Sequence, residues 1–208
     1  MPCFDNAATR RGKPSVHLAF GERTALLAGD AMIVLAFEAL ADACIIAPQR
    51  LPGLLRIVAS GVGTSGGIVA GQAWECEAKA SLTTYQRAKT GSLFAAATMA
   101  GAAAAGVTET RQWGLLGTKI GEAYQVADDI LDVVGSSAAL GKPIGRDAEL
   151  GRLSAVHEFG LAGAVQTLKR LVDEAVESIP TCDGADTLRA IILAQAQNHI
   201  PSDMLQAA

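Results

Sequence analysis

Residues 124–132 read Tyr124-Gln-Val-Ala-Asp-Asp-Ile-Leu-Asp132, and three of these side chains are carboxylates. Because each residue of an α-helix advances by about 100°, the acids and one amide of this stretch share a helix face. Their angles around the axis are about 0°, 40°, 60° and 100° for Asp128, Asp132, Gln125 and Asp129. Carboxylates this close repel one another unless a hard divalent cation or water bridges them, and an all-oxygen ligand set favours magnesium over zinc. The stretch therefore predicts a metal-binding helix face.

An ordinary solvated acidic face is the alternative interpretation of this pattern. Against it, the flanking residues are apolar and indicate a largely buried helix, in which carboxylates require partners. Magnesium keeps much of its hydration and is usually completed by phosphate oxygens of a substrate, whose charge basic side chains help to neutralise. The basic candidates, each of which is otherwise an ordinary surface charge, are Lys89, Lys142, Arg10 and Arg11.

The composition favours helices over strands. Half of the 208 residues are hydrophobic but only 4% are aromatic, and alanine is abundant, which suits closely packed helices. The length allows a substantial core without disulfides or a structural metal, and no repeat or low-complexity linker marks a boundary. We therefore expect one all-α domain over residues 1–208.

Apolar residues recur at helical spacing along most of the chain, and prolines or glycines punctuate the pattern. Glycines between residues 61 and 71 are expected to loosen or kink the second helical stretch. The predicted helices span residues 21–47, 54–80, 83–105, 109–134, 154–179 and 185–199.

Charge and cysteine usage exclude several classes of function. The net charge of −4 provides no global positive field for nucleic acid or an anionic membrane. The weakly polar stretch over residues 95–107 consists largely of alanine and glycine and is shorter than a bilayer span. The four cysteines lack metal-ligand spacing, and no charged-then-apolar signal segment opens the chain. We therefore expect a cytoplasmic protein with no nucleic-acid partner and no membrane span.

Several ordered motifs resemble those of one enzyme family. The stretch at residues 124–132, followed by Gly141-Lys-Pro-Ile-Gly-Arg-Asp147, resembles the second aspartate-rich motif and lysine loop of trans-type prenyl diphosphate synthases. Upstream segments resemble that family's Gly-Gln-x-x-Asp, Lys-Thr-Gly and twin-arginine segments in the same order. These are Gly71-Gln-Ala-Trp-Glu75, Tyr85-Gln-Arg-Ala-Lys-Thr-Gly-Ser-Leu-Phe94 and Arg10-Arg-Gly-Lys-Pro-Ser-Val-His17.

The resemblance implies a fold, a reaction and a set of site residues. The implied fold is an antiparallel helix bundle of the isoprenoid synthase type, usually a homodimer. The implied reaction is Mg²⁺-dependent condensation of isopentenyl diphosphate with an allylic diphosphate, giving geranylgeranyl or farnesyl diphosphate in isoprenoid or carotenoid biosynthesis. The implied metal ligands are Asp128, Asp129, Asp132 and Asp5, and the catalytic residues are Lys89, Gln125, Asp128 and Asp129. The implied substrate-binding residues are Arg10, Arg11, Lys89, Thr90, Gln125 and Lys142.

The first aspartate-rich motif departs from the family pattern. Met1-Pro-Cys-Phe-Asp5 matches only the spacer and last aspartate of that motif, so its leading aspartate pair would lie before Met1, together with the first helices of the bundle. Helices without their usual neighbours would expose apolar faces. If the numbered chain is the whole protein, we expect magnesium-diphosphate binding with severely reduced or absent synthase activity. If a longer product exists, we expect an active enzyme.

Two other functions remain open at this point. A shortened, non-catalytic paralogue would act as a binding or regulatory subunit of a full-length synthase, an alternative suggested by the missing leading aspartates. A purely structural helical interaction protein is the third interpretation, and it leaves the clustered acids of residues 124–132 without a purpose.

Overall fold

The chain folds almost entirely into helices, as its composition predicts. The structure, a computed structural model, describes residues 2–4, 6–43, 45–74, 81–135 and 154–199. A short antiparallel hairpin opens it, formed by β1 (Thr9–Arg10) and β2 (Lys13–Pro14). The helices of the described ranges are α1 (Val16–Phe20), α2 (Glu22–Ala43), α3 (Leu51–Val62), α4 (Ile68–Trp74), α5 (Leu82–Gln86), α6 (Ser92–Ala104), α7 (Arg111–Val134), α8 (Ala155–Glu177) and α9 (Ala185–His199). A 3-10 turn at Pro48–Arg50 leads into α3, and a π-helical turn at Arg87–Gly91 joins α5 to α6.

Most predicted helix boundaries agree with the structure to within a few residues. The prediction of one stretch over residues 54–80 is only partly right, because glycines at residues 63–67 separate α3 from α4. Residues 75–80 lie outside the described part of the chain. Inside α8, Gly160 adopts a φ of 68°, which interrupts the helical backbone near its first turns.

Serine side chains fix the start of α5 and of α8. The Ser81 hydroxyl accepts a hydrogen bond from the Thr84 amide at 3.3 Å at the start of α5. The Ser154 hydroxyl accepts one from the His157 amide at 3.1 Å at the start of α8. Each bond satisfies an amide that the helix itself cannot pair.

The centre of the core is α7, which packs against α6 and α8. Its apolar residues Leu116, Val126 and Ile130 are at most 1% exposed, and Leu168 of α8 is 2% exposed against them. The apolar flanks of the acidic stretch therefore bury α7, as the sequence predicts. The buried helix α7 is a rigid support for the polar side chains of residues 124–132.

Glycines allow two helices to approach the π-helical turn very closely. A Cβ added to Gly121 of α7 would lie 2.7 Å from the Cα of Gly91. A Cβ added to Gly71 of α4 would lie 2.7 Å from the carbonyl carbon of Ala88 and would overlap the backbone of Lys89. Distances this short between backbone atoms and a side chain are not tolerated, so only glycine permits this packing.

The surface of α2 is unusually apolar and open. None of its residues is buried, and Leu27, Met32 and Leu35 are 69%, 71% and 57% exposed. Within the described residues, α2 is also the one helix long and apolar enough to cross a membrane by length and composition. The helix carries Asp30 and Glu38 near its middle, and charges there are costly in a bilayer. The exposed apolar face that is expected for a helix without its usual neighbours is present on α2.

We predict that Gly71→Ala destabilises the fold. Its methyl group would meet the backbone of the π-helical turn, and overpacking of this kind costs about 1–3 kcal/mol. Chemical denaturation measures the loss of unfolding free energy. The matched control is Gly101→Ala in α6, where an added Cβ meets nothing within 4 Å and the substitution is expected to be neutral or stabilising. Equal stability of the Gly71→Ala variant and the original chain would contradict the close approach.

Candidate functional site

The acidic face of α7 is turned away from bulk solvent. Asp129 and Asp132 are 3% and 7% exposed, and Asp128 and Gln125 are half-buried. The expectation of an inward-facing polar cluster is therefore confirmed. Because buried carboxylates are stable only with compensating donors or cations, the surroundings of these residues decide what the face can bind.

The π-helical turn places two predicted binding residues beside this face. A π-turn is wider than an α-turn and is frequent at functional sites. The Thr90 hydroxyl donates a hydrogen bond to Oε1 of Gln125 at 2.7 Å, so the turn and α7 meet there. Lys89 is half-buried, and its Nζ donates to the Tyr85 hydroxyl at 2.8 Å. This ammonium therefore contacts Tyr85 of α5, while the next residue, Thr90, meets α7.

Asp129 is the centre of a hydrogen-bonded cluster that joins three parts of the chain. Nε2 of Gln125 donates to its Oδ1 at 2.9 Å, and Nε2 of Gln86 donates to its Oδ2 at 3.3 Å. The backbone amide of Ala155, the first residue of α8, donates to the same Oδ2 at 2.7 Å. The structure thus brings together Thr90, Gln125 and Asp129, three of the predicted site residues.

Ion pairs brace the elements that carry this cluster. Glu122 of α7 is buried and pairs with Arg87 of the π-helical turn at 3.3 Å and with Lys119 at 3.6 Å. Lys119 also pairs with Glu174 of α8 at 2.5 Å, and Glu174 contacts Arg170 as well. This series of ion pairs therefore connects the π-helical turn with α7 and α8.

Of the remaining predicted residues, two lie on the β1–β2 hairpin and two lie outside the described ranges. Arg10 and Arg11 are exposed on the β1–β2 hairpin, whose turn has positive φ at Arg11 and Gly12, as two-residue hairpin turns require. Among the described residues, no hydrogen bond or ion pair joins Arg11 to the α7 carboxylates. Asp5 and Lys142 lie outside the described part of the chain, and their roles remain predictions.

The acids of α7 do not form a three-ligand protein cage. Across the part of the chain that the structure describes, no three His, Cys, Asp or Glu side chains lie close enough together to hold one metal ion. Magnesium sites often use only one or two carboxylates and take their other ligands from water and substrate phosphates. The oxygen donors of α7 therefore suit a magnesium ion that arrives with a diphosphate.

An apolar cavity of about 310 Å³ lies on the other side of α7. Four α7 residues line it, and three of them, Ile120, Ala123 and Ala127, fall on the helix face opposite the acids, because each residue advances by about 100°. The fourth α7 residue is Tyr124, and the other lining residues are Phe94, Leu168, Val172, Ala175, Leu188, Ile191, Ile192, Gln195 and Ala196. None of these described lining residues is a cation that could bind a diphosphate, so the cavity is distinct from the polar site.

Comparison with known proteins identifies the family. A protein-family model described as polyprenyl synthetase matches residues 3–190. The chain belongs to the polyprenyl synthetase family. The chain is 46% identical over 204 residues to a geranylgeranyl diphosphate synthase of Cereibacter sphaeroides, and 38% identical over 190 residues to a farnesyl diphosphate synthase of Escherichia coli. The matches cover 98% and 86% of the chain but 70% and 63% of the two relatives.

A solved structure supports the fold of this chain. The crystal structure of a Helicobacter pylori geranyltransferase complexed with magnesium and isoprenyl diphosphate has a TM-score of 0.79 and 28% identity to it. That match covers 95% of this chain and 67% of the other. The predicted all-α bundle of the isoprenoid synthase type is therefore confirmed. The chain spans about two thirds of the length of these family members.

Sequence reasoning did not single out several residues that organise the polar cluster. Gln86 stands 43 positions before Asp129, and no local spacing connects the two. The buried Glu122 lies two residues before the acidic stretch on α7. Its ion-pair partner Arg87 is distant from it in the sequence. A buried polar residue inside an otherwise apolar helix was the available signal, but the partner becomes visible only in three dimensions.

Glu174 provides a test of the brace between α7 and α8. Its hydrogen bond from Lys119 is the main cause of a lowered pKa, and Arg170 adds to the effect. A carboxyl with a lowered pKa in the folded state stabilises the fold at pH values above its ordinary value of 4.5. That stabilisation is lost as the pH falls through the folded-state value.

We predict that Glu174→Gln lowers the unfolding free energy near neutral pH by up to about 1 kcal/mol, the upper range for a partly exposed ion pair. The difference from the original chain should shrink as the pH falls below 4.5. Urea denaturation across this pH range measures it. Glu177→Gln, at an exposed glutamate of the same helix, is the control. A difference that persists undiminished at low pH would show that the ion pair is not its source.

Proposed function

We propose that the protein condenses isopentenyl diphosphate with an allylic diphosphate and forms geranylgeranyl or farnesyl diphosphate. The observation that carries this proposal is the hydrogen bond between Thr90 and Gln125, which joins the Lys-Thr-Gly segment to the aspartate-rich helix. The two motifs are separated along the sequence but form one polar site. The identity to geranylgeranyl and farnesyl diphosphate synthases supports the same reaction here.

Magnesium is the cofactor in this proposal. Asp128 is half-buried at the edge of the acidic face, and Asp132 follows it by one helical turn, so their oxygens suit a hard cation. The similar Helicobacter pylori enzyme was crystallised with magnesium and isoprenyl diphosphate. When bound, magnesium would neutralise the charge that develops on the diphosphate leaving group.

The side chains of the π-helical turn and α7 would hold the diphosphate itself. The ammonium of Lys89 offers donors and positive charge, and Thr90 and Gln125 offer oriented polar groups beside it. By family resemblance, Lys142 would add a second cation, Arg10 and Arg11 would bind the allylic and isopentenyl diphosphates, and Asp5 would contribute to the metal site. These donors stabilise negative charge where it develops, which is the largest contribution expected from such a site.

The reaction needs a leaving group held by charge and a reacting carbon kept dry. The allylic C–O bond breaks and diphosphate leaves with the electron pair, the isopentenyl double bond attacks the resulting carbocation, and a proton is lost. Water would capture the carbocation, so the apolar packing around α7 serves the chemistry by excluding it. A cytoplasmic role in isoprenoid or carotenoid biosynthesis is consistent with these products.

We predict that Asp128→Asn weakens magnesium-dependent binding of inorganic diphosphate at least tenfold, or by about 1.4 kcal/mol. The asparagine keeps the size of the side chain but loses the charge that a divalent ion requires. Isothermal titration calorimetry with and without Mg²⁺ measures the effect. Asp173→Asn, at an exposed aspartate of α8, is the control and should bind as the original chain does. Unchanged magnesium dependence in the Asp128→Asn variant would remove the metal assignment.

A product assay separates the catalytic proposal from the non-catalytic alternative. The chain is incubated with isopentenyl diphosphate, an allylic diphosphate and Mg²⁺, and prenyl products are extracted and identified by mass. Formation of a C15 or C20 diphosphate supports the synthase. Tight diphosphate binding without any product would instead favour a binding or regulatory subunit.

We further propose that the protein assembles as a homodimer through α2. The family resemblance suggests a dimer, and α2 is rich in exposed apolar side chains and has no buried residue. Burial of apolar side chains is the principal driving force for association. An exposed apolar surface of this extent on a helix is typical of an interaction site.

We predict that Leu35→Glu converts the dimer into a monomer, because a carboxylate would be buried without a partner at the interface. Light scattering coupled to size exclusion should give about twice the chain mass of 21.3 kDa for the original protein and the single mass for the variant. Leu115→Glu is the control, since Leu115 of α7 is 54% exposed, close to the 57% of Leu35. A monomeric original chain, or one that sediments with lipid vesicles, would contradict the dimer.

A further inference from the structure

The carboxylate of Asp129 faces protein donors from three separate elements. It is 3% exposed, and its neighbours Asp128 and Gln125 are half-buried. Gln125, Gln86 and the amide of Ala155 donate to it at 2.9, 3.3 and 2.7 Å. Both oxygens of this carboxylate already accept hydrogen bonds from the protein, so its buried charge is compensated without a metal ion. The surroundings of Asp129 are those of an internal anchor.

The hydrogen bonds determine how the Gln125 carboxamide is turned. Its Nε2 donates to Asp129, so its Oε1 points to the other side and accepts the Thr90 hydroxyl at 2.7 Å. Because an ionised carboxylate can only accept hydrogen bonds, it selects the amide end of Gln125. Asp129 thereby sets the orientation of two residues proposed to bind the diphosphate.

Gln86 donates a hydrogen bond to Asp129 from α5, outside α7. Gln86 is the last residue of α5 and is 7% exposed, directly before the π-helical turn that carries Lys89 and Thr90. Its Nε2 donates to the Oδ2 that also accepts the Ala155 amide. The hydrogen bond fixes the start of that turn to α7 at the level of the acidic face.

The contact with Ala155 ties the start of α8 to the same carboxylate. Ala155 is fully buried, and as the first residue of its helix its amide has no partner within that helix. A negative charge at a helix N-terminus is also favourable because of the helix dipole. Asp129 therefore holds α8 against α7 in addition to orienting Gln125.

We propose that Asp129 is a positioning residue and not a metal ligand, and that Gln86 is its partner in orienting Gln125 and Thr90 for a bound diphosphate. The inference rests on the proposed function and deepens it, because it divides the three acids of α7 into two roles. In this division Asp128 and Asp132 would hold the metal ion, and Asp129 would organise the side chains that meet the diphosphate.

The test compares Asp129→Asn and Gln86→Met with Asp128→Asn, all in the complete chain. Glu174→Gln is the control for a general loss of stability, since its ion pair with Lys119 joins α7 to α8 and its side chain takes no part in the hydrogen bonds from Gln86 and Gln125 to Asp129. Three quantities are measured: the melting temperature, the NMR signals of the Ala155 amide and the Gln125 carboxamide without ligand, and the affinity for inorganic diphosphate over a range of Mg²⁺ concentrations.

Asp129→Asn should shift both NMR signals, lower the melting temperature, and weaken diphosphate binding about tenfold at every Mg²⁺ concentration, since it breaks charged hydrogen bonds. Gln86→Met should have the same pattern with a smaller loss. Asp128→Asn should leave the two NMR signals in place and remove the magnesium dependence. Glu174→Gln should lose stability without losing affinity.

A double-mutant cycle separates positioning from a general structural effect. If Asp129 acts through Gln125 and Thr90, Asp129→Asn should cost little additional affinity in a Thr90→Val background. Fully additive losses would overturn the proposal, and so would an Asp129→Asn variant that keeps its NMR signals and loses its magnesium dependence. If the original chain binds no magnesium-diphosphate, the proposed function fails and the positioning role fails with it, whereas the other results leave that function standing.

Discussion

The burial of carboxylates on α7 is the constraint on which the site depends. A buried charge costs several kcal/mol unless donors or cations compensate it, so the protein must bring compensating groups to this helix from elsewhere. Asp129 receives them from α5, from α7 itself and from the first residue of α8. The same bonds that satisfy the carboxylate also fix the relative positions of these helices. Stability and site geometry therefore share one set of interactions.

Close backbone packing makes these interactions possible. Gly71 and Gly121 allow α4 and α7 to lie against the π-helical turn, and larger residues would separate them. The wider π-turn then presents Thr90 toward Gln125 of α7. A short hydrogen bond such as the one from Thr90 to Gln125 would not survive a shift of one ångström, because its strength falls steeply with distance. These glycines thus determine the geometry of the polar site, because they set the distance between the helix backbones and the π-helical turn.

Periodicity and composition predicted the helices and the inward turn of the acidic face, because these depend on local spacing, and the resemblance of ordered motifs to a known family predicted the family. The hairpin at Thr9–Pro14, the π-helical turn and the division between α3 and α4 were not predicted in detail. Each depends on backbone geometry at glycines or on packing against a distant segment. The hydrogen bond from Gln86 to Asp129 joins residues that no sequence pattern relates. The roles of Asp5 and Lys142 stay predictions because they lie outside the described residues.

The exposure of α2 links folding to concentration. A helix with no buried side chain receives little tertiary stabilisation, so its amides should open with a small free-energy cost when the chain is alone. Anything that covers this helix binds the folded chain and not the unfolded one, and stabilises it by mass action. If a second copy of the chain covers α2, as proposed, the melting temperature rises with protein concentration, and dilution loosens α2 before the core around α7.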